Sequence, residues 1–190
     1  VRRYIIKSKG STLIELVILI VLVGVLASVA TSKLLNLRSE AKIATLQGYK
    51  AALTSLRDII GNLILMRPGN LNAGGNIFTL DDGQTIRVRA GYPDGRWSNT
   101  FIYLVNFDEV EFSTTNSCQG SKEWCARHRG LGWFTSRGYT SESEGRGFVI
   151  YPKGNNLNQD QCYTYYFTPN GSALPASPKV PVVGVDTTEC

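Results

Sequence analysis

Glu15 is the residue whose setting most needs a chemical explanation. It stands among Leu, Ile and Val residues, and residues 16–32 after it contain no ionisable side chain. A carboxylate in a membrane interior costs about 2.5–3.5 kcal/mol even on the lenient insertion scale, so such a residue is by default functional and needs a partner. A local role also fits, because Thr12-Leu13-Ile14-Glu15 has the T-x-x-E spacing of a capping box, in which Glu15 bonds back to the Thr12 amide. The second group is Cys118, Cys125, Cys162 and Cys190. Neither spacing contains CxxC, so disulfides are favoured over a zinc site or free thiols; four cysteines allow three connectivities. The third group is Trp124, Arg127, His128, Arg129, Trp133 and Phe134, with Trp97 ahead of them. On loops, Trp97, Trp124, Arg127 and Trp133 suit a carbohydrate or partner-subunit surface, although the cover of a small core is the favoured reading.

Catalysis finds little support. The chain has one His, His128, and no Ser/His/Asp, HExxH, Walker or GxGxxG pattern, so the expectation is a non-enzyme with no cofactor. Asp81, Asp82, Asp160 and Asp186 lack the dense oxygen-ligand loop of a Ca²⁺ site, and no metal is assigned. The net charge of +5 owes four charges to Arg2, Arg3, Lys7 and Lys9, with no acid among the first ten residues. The basic character is therefore a terminal address, and no nucleic-acid partner is expected. At 43% hydrophobic and 18% charged residues, with 19 glycines, the composition excludes disorder and coiled-coil fibres.

Long helical periodicity is what would position these groups. Residues 11–32 make about 22 positions, or ~33 Å as a helix, matching a hydrocarbon core of ~30 Å. By the positive-inside rule residues 2–9 stay cytoplasmic. A secretory signal cut after Ser28-Val29-Ala30 is the alternative, but the apolar run exceeds a usual signal and opens on Glu15. The helical pattern also continues: Leu46, Tyr49, Leu53, Leu56, Ile60 and Leu63 recur every three or four positions, and no proline intervenes before Pro68. One helix over 11–66 is expected. From 67 to 190 short β-type segments follow: a hairpin of 76–80 and 84–90, then strands at 100–107, 147–151 and 163–168. The expected class is α+β, with an antiparallel sheet against the amphipathic half of the helix.

Lys9-Gly10-Ser11-Thr12-Leu13-Ile14-Glu15-Leu16-Val17 resembles the processing site of type IV prepilins. Leu35-Asn36-Leu37, Ala44-Thr45-Leu46-Gln47-Gly48, Gly91-Tyr92-Pro93 and Cys162-Tyr163 are similar to the mannose-sensitive haemagglutinin branch of that family. The resemblance implies the type IV pilin fold and a basic leader, residues 1–10, cut by prepilin peptidase between Gly10 and Ser11. It further implies N-methylation of Ser11 and an assembly role for Glu15. Ser11 departs from the family's usual Phe, and Ser32 from its frequent Pro. An α-amine stays protonated near neutrality, so Glu15 of one subunit could neutralise Ser11 of its neighbour. For the cysteines, Cys118 with Cys125 closes a tight loop. Cys162 with Cys190 ties the last residue to a strand and resembles the C-terminal disulfide-bounded region of these pilins.

The expectation is therefore a pilin subunit for attachment. It would be held in the bacterial inner membrane before assembly, then become part of an extracellular homopolymer with surface glycans as candidate partners. The alternatives are a pseudopilin of a type II secretion system, a minor pilin, or a secreted carbohydrate-binding protein.

Overall fold

A computed structural model describes residues 12–171 and 179–190, apart from the side chains of Val29, Ser32 and Leu35. The expected leader, Gly10 and Ser11 lie outside the described residues. The chain divides into two units, residues 1–41 and 42–190. Helix α1 (Leu13–Met66) has 54 residues and stops where Pro68 cannot continue it. A 3-10 turn, Pro68–Asn70, follows.

The second unit contains two sheets. β1 (Ile77–Thr79), β2 (Thr85–Arg89) and β3 (Tyr92–Pro93) form an antiparallel three-stranded sheet. A π-helical turn, Trp97–Phe101, runs into α2 (Ile102–Leu104). The larger sheet has the order β4 (Val110–Phe112), β5 (Trp124–Gly130), β6 (Gly145–Pro152), β7 (Tyr163–Pro169), β8 (Val182–Asp186). Between β5 and β6 lies α3 (Leu131–Thr135).

Leu46 and Leu53 of α1 are fully buried in one core with Trp97, Phe101, Phe148, Ile150 and Tyr166. The buried Thr164 hydroxyl donates to the Leu46 carbonyl at 2.6 Å, fixing helix to sheet. About two to three turns beyond Leu53, Ile60 and Ile64 share a core with Phe78, Ile86 and Val88 of the smaller sheet. The other face of the larger sheet is covered as well, by Phe134, Leu157 and the Cys118–Cys125 pair over Val149, Tyr151, Tyr163 and Phe167. All seven residues of β7 are consequently buried, so an alternating pattern is absent from this antiparallel strand.

The expected pilin fold, an apolar membrane-spanning half-helix and an antiparallel head, is corrected on two points. First, the larger sheet is mixed: β4 runs parallel to β5, with Val110 opposite Trp124 and Phe112 opposite Ala126. A separate small sheet accompanies it. Second, among the described residues no helix is long and apolar enough to cross a membrane. The second unit begins at Lys42 and includes the later turns of α1. One strand is corrected too. The run from 100 to 107 is rich in β-formers, but Trp97, Phe101 and Leu104 recur at helical spacing, with Trp97 and Phe101 buried and Ile102 and Tyr103 half exposed.

Candidate functional site

At the start of α1 the Thr12 carbonyl accepts the amides of Glu15 at 3.0 Å and Leu16 at 3.2 Å, so Thr12 opens the helix. Glu15 sits in the first turn and is exposed. There its carboxylate meets the positive end of the helix dipole, worth about 0.3–1 kcal/mol. Around it every large apolar side chain from Leu13 to Leu26 is exposed, from 45% for Val17 to 81% for Leu13. Apolar surface on all sides of a helix is satisfied by lipid or by other helices.

The cysteines form two disulfides, Cys118–Cys125 and Cys162–Cys190, with Cα separations of 5.6 and 4.9 Å. All four thiols are used, which removes the zinc and free-thiol alternatives. The aromatic group separates into two sets. Trp97 and Trp124, 3% and 8% exposed, are core residues and are corrected as surface binders. The reason is that Trp124 opens β5, a central strand, rather than lying on a loop. Arg127 and Trp133 remain partly exposed. On their face of the sheet the Arg137 guanidinium lies 4.1 Å and that of Arg129 5.5 Å from the Trp133 ring centroid. Burial, reinforced by neighbouring Arg127, pulls Arg129 down to about 10. The Tyr139 hydroxyl lies 2.9 Å from that of Tyr163 and donates to Asp186 Oδ2 at 3.0 Å. Its burial, then the Tyr163 bond, pushes its pKa up.

The four aspartates lie in separate local bonds. Asp81 pairs with Arg67, Asp82 accepts the Gln84 amide, Asp160 accepts the Asn156 amide, and Asp186 caps Thr188. Among the described residues no cluster of three or more His, Cys, Asp or Glu side chains could hold a metal.

Sequence reasoning missed a cationic group at the end of β5 and β6. Asp94, 1% exposed, accepts Arg146 Nε–H at 2.8 Å and lies 3.6 Å from Arg89 Nε. His128 Nε2 accepts the Trp97 amide at 2.8 Å. Burial, then Arg96, lowers the His128 pKa below the ordinary imidazole value. The available signal was alternation: within β5, His128 and Gly130 face one side while Arg127 and Arg129 face the other.

No family model, curated protein or solved structure matches the chain.

Proposed function

We propose that the chain is a type IV pilin-like structural subunit, polymerising through residues 11–32 into a surface fibre used for attachment. The observation that carries this reading is the all-round exposure of Leu13 to Leu26, with a carboxylate, Glu15, in the first turn of the helix. That surface is a liability for a solitary chain and an asset for a helix packed among copies of itself. After cleavage between Gly10 and Ser11 by prepilin peptidase, the new α-amine would meet Glu15 of an adjacent subunit. Before assembly the same apolar residues would hold the chain at the bacterial inner membrane, with the basic end cytoplasmic. The disulfide-tied unit suits an oxidising exterior, where surface glycans are the natural partners of an attachment fibre.

The test is Glu15→Gln. An amide can still accept the Thr12 amide, so a capping role alone predicts a wild-type ratio of subunit in sheared surface fractions to subunit in membranes. Charge pairing predicts that the ratio collapses almost as far as in Glu15→Ala, while cleavage after Gly10 continues. Cleaved, membrane-bound Glu15→Gln with normal fibres would overturn the pairing; efficient cleavage of Gly10→Val would overturn the processing site.

A further inference from the structure

The segment from Asp94 to Trp97 crosses the end of the β5–β6 pair, and the approach is close. A Cβ on Gly95 would lie 2.3 Å from the Arg146 carbonyl oxygen, so only glycine fits there. The Trp97 amide is held by His128 Nε2, which leaves the neutral imidazole with its proton on Nδ1. Beside this crossing a recess of about 240 Å³ opens, lined by Gly95, Arg96, His128, Arg129, Gly130, Arg146 and Gly147. Gly130 pairs with Arg146 across the strands and lies two residues from His128, so these three positions share one face.

Charge here is out of balance. Arg89 and Arg146 flank the buried carboxylate of Asp94, Arg96 lines the recess beside Arg146, and Glu144 acts on Arg89. Arg96 forms no ion pair among the described residues. Burial, and after it the neighbouring guanidiniums, lowers the pKa values of Arg89 and His128. An anion in the recess would relieve that repulsion and gain charge-assisted hydrogen bonds. At 240 Å³ the recess is smaller than the ~300–1,000 Å³ that encloses a drug-sized ligand, so it fits a single charged group and the small ring carrying it.

We propose that this recess binds an oxyanion, a carboxylate or sulfate borne on a sugar, through Arg96 and Arg146 with His128 at its wall. The site lies wholly within residues 42–190 and does not rest on fibre assembly, so failure of the Glu15 test leaves it standing.

His128 is the sole histidine, so its ring protons give one unambiguous proton NMR signal from the full chain in non-ionic detergent. Sodium sulfate and glucuronate should shift that signal saturably and raise the imidazole pKa against Asp94, Arg96 and Arg146; glucose should do neither. Whichever anion binds tighter identifies the sulfated or the carboxylated source. Arg96→Gln should weaken binding about tenfold, the loss of one charge-assisted bond. Gly130→Asp guards against a misfolded Arg96 variant: a Cβ there meets nothing within 4 Å, so a tethered carboxylate can enter. It should raise the His128 pKa without added anion and block the response to sulfate. No saturable shift from either anion, an equal response to glucose, or unchanged sulfate affinity in both variants would overturn the proposal.

Discussion

Asp94 holds two arginines, Arg89 and Arg146, near one another, and its removal isolates their charge. In Asp94→Asn the amide oxygen can still accept from Arg146, but the counter-charge is gone. The expected loss is about 2 kcal/mol in denaturant unfolding, below the ~3–5 of a fully buried pair, because Arg89 and Arg146 keep 24% and 23% of their side chains in solvent. His128 predicts a pH dependence whose sign follows from its lowered pKa. The unfolded imidazole binds a proton more readily than the folded one, so its contribution is fully present above about 6.5 and is lost as pH falls through the lower folded value. A denaturation midpoint that falls on acidification in wild type, and falls less in His128→Gln, is the expected result. At this scale the cysteines were legible from spacing and resemblance. The tryptophans were not, because Trp97 and Trp124 are placed by contacts with Phe148 and Tyr49 that no local pattern records.

Over residues 46–63 the buried face was legible, since apolar side chains recur there every three or four positions. Leu46, Leu53 and Ile60 are buried, while Tyr49, Leu56 and Leu63 flank them half-buried. Leu53→Ala should cost about 2–5 kcal/mol by denaturant titration, because the cavity would open between helix and sheet. The parallel entry of β4 was not legible. Three residues, Val110–Phe112, carry no periodicity, and their partner β5 looks like a polar loop because Arg127, His128 and Arg129 follow one another. The strand expected at 100–107 failed for a different reason: β-propensity reports fit to a half-buried surface, which tertiary packing overrode.

For the whole molecule, the Cys162–Cys190 bridge closes a separation of 28 residues around β7 and β8. Replacing both by Ser should cost about 3 kcal/mol in the loop-entropy account, measured by thermal or denaturant unfolding. Non-reducing peptide maps should link Cys162 only to Cys190 and Cys118 only to Cys125. Sheet order, by contrast, depends on crossings between distant segments that no local pattern encodes.

That same bridge bears on how copies can meet. The outer strands of the larger sheet are β4, three residues long, and β8, preceded by Pro181 and followed four residues on by the strapped Cys190. The Gln161 amide and carbonyl are also taken, by Glu189. Short margins, proline and covalent closure are what keep backbone groups from recruiting a strand of another molecule. Crowding many copies side by side therefore offers little template for cross-β growth, and intermolecular contact is left to side chains.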